Sequence, residues 1–211
     1  MRVVPDVAQA FADLVVERQP RSIALSGGST AVACYEALAA RDIDWSQIEI
    51  FIGDERCVPI DDPDSNEGMI RRVLLEDGYG DSLHSLVGSS ATPADAACSY
   101  ESLLREHGPM DLIHLGLGPD GHTASLFPGA SELLETERFV VVAGDDQHPH
   151  RRLTFTLPAI STARLVVFTV AGASKAAALA TIAANVELVP ASQVTAAEVI
   201  WLVDEAALNA A

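Results

Sequence analysis

Short apolar runs alternate along this chain with longer segments in which apolar residues recur every three or four positions. The runs at 22–26, 48–53, 111–116, 139–143, 153–157, 165–170 and 199–203 are mostly β-branched and bounded by Gly, Pro or charge, which predicts buried strands. The segments 7–19, 31–40, 66–76, 94–106 and 176–186 have helical spacing, with start signals at Asp6, Thr30, Ser65, Pro93 with Asp95, and Ser174. Alternation of this kind predicts an α/β fold: a mostly parallel, Rossmann-like sheet covered by helices on both faces. No internal repeat and no Pro/Gly/Ser-rich linker divides the 211 residues, so a single domain over 1–211 is expected.

Composition narrows the partners. Lys and Arg number 13 against 30 Asp and Glu, a formal net charge of −17, which argues against binding a nucleic-acid backbone. Residues 1–20 carry Asp6, Asp13 and Glu17 and lack the basic start of a signal peptide. The longest apolar stretch, 165–173, is far shorter than the roughly 20 residues of a membrane span, so no membrane partner is expected. Cys34, Cys57 and Cys98 are odd in number and widely spaced, fitting neither a disulfide framework nor a zinc site; reduced thiols in a cytoplasm are expected.

In a parallel sheet ligands bind beyond the carboxyl ends of the strands, so the strand-to-helix turns carry the chemistry. The first, Ser26-Gly27-Gly28-Ser29-Thr30, has glycines that admit a ligand, hydroxyls that can donate, and a helix start that attracts an anion. A tight turn with Ser29 or Thr30 as cap is the competing interpretation. The second, Gly53-Asp54-Glu55-Arg56, offers a guanidinium suited to phosphate or carboxylate and carboxylates that can hold it or contact sugar hydroxyls; alternatively it is a solvated charged turn. Downstream, Asn66 can cap a helix or touch ligand.

The third turn, Gly116-Leu117-Gly118-Pro119-Asp120-Gly121-His122, satisfies GxGxxG, but Pro119 within it and Pro128-Gly129 after it argue against a dinucleotide site. What it presents is a histidine, the natural general base near neutral pH, with Asp120 close enough in sequence to orient it. In the fourth turn Lys175 falls in the first turn of its predicted helix, where the macrodipole disfavours a cation and a bound anion would relieve the conflict; a surface lysine with its charge in water is the competing interpretation. Arg151 and Arg152 precede the strand at 153–157, and one of them can reach a phosphate; the loop His148-Pro149-His150 has too few ligands for a metal site. His84, His107, His114, Trp45 and Trp201 show no pattern beyond packing or surface roles.

Taken together in order, Ser26–Thr30, Gly53-Asp54-Glu55-Arg56 with Val58-Pro59, Ser65-Asn66, the segment from Gly116 through His122 to Pro128, Arg152-Leu153-Thr154, and Gly172 with Lys175 resemble the 6-phosphogluconolactonase family. The resemblance implies a sugar-phosphate isomerase-like fold and hydrolysis of 6-phospho-D-glucono-1,5-lactone in the oxidative pentose phosphate pathway, without cofactor or metal; a monomer or small homo-oligomer is expected. It implies His122 as the base that activates water and Asp120 as its orienting partner. Substrate contacts are then expected from Ser26, Gly27, Gly28, Ser29, Thr30, Asp54, Glu55, Arg56, Asn66, Gly118, Arg152 and Lys175. Glucosamine-6-phosphate deaminases share the Asp-Gly-His turn, but the run that follows it there contains a further carboxylate, and Thr123-Ala124-Ser125-Leu126-Phe127-Pro128 has none. A deaminase-like isomerase and a non-catalytic sugar-phosphate sensor are the alternatives. Ala31 and Glu67-Gly68 depart from the family's usual pattern, which touches loop packing and substrate contact.

Overall fold

The computed structural model describes residues 1–75, 82–144, 149–184 and 189–209. In chain order the elements are β1 (Arg2–Val3), α1 (Val7–Arg18), β2 (Ser22–Leu25), α2 (Ser29–Ala39), β3 (Glu49–Ile52), β4 (Asp54–Arg56), α3 (Asn66–Leu74), α4 (Pro93–His107), β5 (Leu112–Gly116), β6 (Val140–Ala143), β7 (Arg152–Phe155), α5 (Leu157–Ser161), β8 (Leu165–Val170), α6 (Ala176–Ala184), β9 (Glu198–Val203) and α7 (Glu205–Leu208). Single 3-10 turns lie between several of them, including Ala173–Lys175 just before α6.

Six strands form one parallel sheet in the order β1-β9-β8-β5-β2-β3. All four residues of β2 and all six of β8 are buried, as continuous apolar strands in a parallel sheet require. The predicted strands at 139–143 and 153–157 do not join this sheet. As β6 and β7 they make a second, antiparallel sheet with β4, in the order β4-β7-β6. The segment 54–56, expected as part of a strand-to-helix turn, is thus a strand.

Gly53 joins the two sheets: its N–H donates to the Leu25 carbonyl at 2.8 Å, extending the parallel ladder, and its carbonyl accepts from Phe155 N–H at 2.8 Å. The polypeptide therefore changes sheets at one residue. A continuous core, with Phe11, Tyr35, Phe51, Phe155 and Phe168 fully buried, runs beneath both sheets.

The helix starts follow local chemistry with two exceptions. Asp6 caps α1, accepting from Gln9 N–H at 3.0 Å, and Ser65 caps α3, accepting from Gly68 N–H at 2.9 Å. Pro93 opens α4 as expected, while Thr92 supplies the cap. Thr30, by contrast, is no cap: α2 begins at Ser29 behind Gly28, whose φ of 102° suits glycine, and no side chain covers its first N–H groups. Nor does Ser174 cap α6, because the chain enters through the 3-10 turn behind Gly172. Glu76 and Val186, the expected helix ends, lie outside the described residues, as does His148.

Among the described residues, no helix is long and apolar enough to cross a membrane.

Candidate active site

The carboxyl ends of β2, β5 and β8 and the adjoining edge of the small sheet surround a cleft of about 170 Å3. Of the expected site residues, Ser26, Gly27, Gly28, Ser29, Thr30, Asp54, Arg56, Asn66, Gly118, His122, Arg152 and Lys175 line it. Ala31, Gly116, Leu117, Pro119, Ala124 and Thr169 complete the wall, and of these only Thr169 lies outside the motifs singled out in the sequence.

His122 is held from behind. Its Nδ1 lies 2.6 Å from Asp120 Oδ1, and the same oxygen accepts from the His122 N–H at 3.2 Å. Burial by itself raises the Asp120 carboxyl, but the His122 N–H bond and the imidazole beside it outweigh that and hold it below its ordinary value. An ionised Asp120 makes Nδ1 the protonated nitrogen and leaves Nε2 as the base. Asp120 itself borders a wider surface groove beyond Phe127 and Pro128, so it supports the imidazole from outside the cleft.

Gly118 explains how the turn accommodates the ring. Its N–H donates to the His122 carbonyl at 2.8 Å, and a Cβ at this position would lie 2.1 Å from His122 Nδ1. Only glycine leaves room for the imidazole to fold back over the turn. Phe127 packs against the ring at a centroid distance of 5.0 Å.

The cationic side forms through strand pairing. β4 and β7 are antiparallel with Arg56 opposite Arg152, so two like charges face each other across the ladder, an unfavourable pair on its own. The Nε atoms of both arginines are buried without a hydrogen-bond partner. Burial, then the Arg56 charge, pushes the Arg152 guanidinium below its usual value, against the attraction of Asp54, Asp64 and Glu55. Lys175 is likewise lowered by burial, with Asp120 opposing the shift. Adding the uncovered N–H groups at the start of α2, the cleft gathers donors and positive charge well beyond what its own acids satisfy. An anion with several acceptor oxygens would answer both the facing guanidiniums and the orphaned donors.

Two expected contacts have other employment. Glu55 does not line the cleft; it is buried, and its carboxylate accepts from the N–H groups of Arg56, Asn66 and Glu67 at 2.7–2.8 Å and from Ser65 Oγ at 3.1 Å. It secures the start of α3 against β4, and desolvation nonetheless raises its pKa. Ser26 lines the cleft, but its hydroxyl is turned inward and donates to the His114 carbonyl at 2.7 Å. Asp54 is braced by Ser125 Oγ at 2.7 Å, and Asn66 Nδ2 donates to the Asp54 carbonyl at 2.7 Å. No group of three or more His, Cys, Asp or Glu able to hold a metal ion occurs among the described residues.

His114, expected to be a packing residue, is wholly buried under the cleft, and burial pushes it down from 6.5 to about 3. The unfolded chain binds a proton near pH 6.5 that the folded chain refuses until about pH 3. The stability associated with this group is therefore full above pH 6.5 and lost as pH falls toward 3. Urea titrations are expected to show His114→Gln losing stability less steeply than the wild type between pH 6 and 4, by about 1.4 kcal/mol per pH unit. Equal slopes would mean that the native protein protonates His114.

Comparison with known proteins places the chain. The family model described as glucosamine-6-phosphate isomerases/6-phosphogluconolactonase matches residues 1–201. A 6-phosphogluconolactonase of Synechocystis sp. is 42% identical over 98% of this chain and 91% of its own length. Among solved structures, 6-phosphogluconolactonase from Thermotoga maritima superposes with a TM-score of 0.86 at 28% identity, covering 97% of this chain and 98% of that one. The enzyme of the same name from Trypanosoma brucei gives 0.82 at 31% identity, covering 98% and 95%.

Proposed function

The chain belongs to the glucosamine-6-phosphate isomerase/6-phosphogluconolactonase family, and we propose that it hydrolyses 6-phospho-D-glucono-1,5-lactone to 6-phospho-D-gluconate in the oxidative pentose phosphate pathway. The observation that carries this is the placement, across one cleft, of an imidazole held by Asp120 and two facing guanidiniums with unpaired buried nitrogens.

The phosphate is received by Arg56, Arg152, Lys175 and the open start of α2, which sets the lactone ring toward His122. Nε2 of His122 takes a proton from water as the water oxygen bonds to the lactone carbonyl carbon. The carbonyl π electrons move to oxygen, and cleft N–H groups or a cation stabilise that charge. When the carbonyl re-forms, the bond from C1 to the ring oxygen breaks, and His122 returns the proton to that oxygen as it becomes the 5-hydroxyl. Asp120 keeps the imidazole in the required tautomer and stabilises its protonated form. The resulting carboxylic acid ionises at neutral pH, so turnover releases one proton. Asp54 and Asn66, braced in the wall, are placed to contact sugar hydroxyls.

We assign the chain to a single domain over 1–211, supported by the continuous core beneath both sheets. A cytoplasmic location accords with three free cysteines.

The proposal is tested by offering the purified protein 6-phosphogluconolactone and glucosamine 6-phosphate in parallel. Acid release from the lactone above the spontaneous rate, with no ammonia from the amino sugar, is expected; the reverse pattern would assign the cleft to deamination. Gly118→Ala supplies an internal check. Its methyl group must displace the imidazole, so kcat is expected to fall at least about tenfold while the circular dichroism spectrum is kept. Unaltered turnover would show that the ring position in this turn is irrelevant to catalysis.

A further inference from the structure

Beneath the cleft floor, Tyr35, His114 and Thr169 form a buried line of hydrogen bonds that no catalytic step above uses. Both of its ends meet the cleft, because Ser26 and Thr169 line it. The direction of each proton follows from counting. Tyr35 Oη accepts from the Ser26 N–H at 2.8 Å and lies 2.9 Å from both the Ser26 carbonyl oxygen and His114 Nδ1. A phenol has one proton and a carbonyl can only accept, so that proton goes to Ser26 and Nδ1 donates to Oη. In the neutral ring Nε2 is then the acceptor, and the Thr169 hydroxyl donates to it at 2.8 Å.

One side chain thus holds both backbone groups of Ser26, and the Ser26 hydroxyl is tied to the His114 carbonyl. The chain leaves this clamp directly into Gly27 and Gly28, whose successors present the uncovered N–H groups of α2. We propose that Tyr35 and His114 are positioning residues for the anion cradle: they fix Ser26, and through it aim the donors of Gly27–Thr30 at the ligand. The inference rests on the cleft binding a phosphorylated ligand.

Tyr35→Phe removes Oη and keeps the ring. Calorimetric titration with inorganic phosphate is expected to show an affinity about 5- to 20-fold below wild type, the effect of losing one or two hydrogen bonds. The KM for 6-phosphogluconolactone should rise by a similar factor, with kcat within about threefold. The kcat–pH profile should keep its shape, because the dyad of His122 and Asp120 is untouched. His114→Asn, whose amide can replace Nδ1–H, should bind phosphate better than His114→Leu, and this pair reads the same effect if Tyr35→Phe does not fold. Phosphate affinity equal to wild type in Tyr35→Phe, with only a lower melting temperature, would overturn the inference and leave a core-packing role. So would an altered pH profile. A wild-type protein that binds phosphate but leaves the lactone intact would remove the lactonase assignment and not this one.

Discussion

His122→Ala is expected to lower kcat for lactone hydrolysis by about 10²–10⁴-fold, the usual share of a positioned general base, with little change in KM. The imidazole is the group whose Nδ1 is taken by Asp120 and whose other nitrogen is left as a base in the cleft. It is partly exposed and carries no buried network, so its removal should leave the melting temperature almost unchanged. Asp120→Asn should also lower kcat, because an amide can bond Nδ1 in either sense and no longer stabilises the imidazolium. Stopped-flow or pH-stat rates, corrected for spontaneous hydrolysis, measure both. Wild-type turnover in His122→Ala would transfer the proton-accepting role to another group.

Arg152→Ala should lower kcat/KM by about 30- to 150-fold, the cost of removing one buried charged partner of a bound phosphate, about 2–3 kcal/mol. The same substitution should leave the unliganded protein as stable or slightly more stable. It removes one of two guanidiniums that face each other across β4 and β7, a repulsion worth up to about 1 kcal/mol, or about 2–4 °C for a chain of this size. Inorganic phosphate should raise the melting temperature of the wild type and have much less effect on the variant. A loss of activity with a matching loss of stability would instead make Arg152 a structural residue. The combination of gained stability and lost activity is what a charge placed for a ligand produces.

The parts of this molecule that were legible in its sequence are those whose physics is local. Asp6 and Ser65 cap their helices because a side-chain oxygen reaches an N–H three residues on. The turn from Gly116 to His122 was legible because a glycine where the ring packs and a carboxylate two residues from the imidazole are written side by side. What escaped depends on distant partners. Three consecutive charged residues, Asp54, Glu55 and Arg56, carry no period-two apolar signal. They become a strand because Leu153 and its neighbours, nearly a hundred residues away, lie opposite them. Glu55 looked like a substrate contact until α3 brought its N–H groups to the carboxylate. Thr30 looked like a cap, and leaving the α2 terminus uncovered is what makes it useful to an anion. His114 sits between Ile113 and Leu115 with nothing in the sequence to distinguish it from packing; only Tyr35 and Thr169, brought together in the core, give it a direction.

This cleft is expected to accelerate the opening of a phosphorylated sugar lactone by water. Its most direct measurement is the initial rate of acid release from freshly generated 6-phosphogluconolactone in a pH-stat, with and without the purified protein. The expected rate is proportional to protein concentration, saturable in lactone, far above the spontaneous rate and inhibited by inorganic phosphate. A rate indistinguishable from spontaneous hydrolysis at every protein concentration would contradict it.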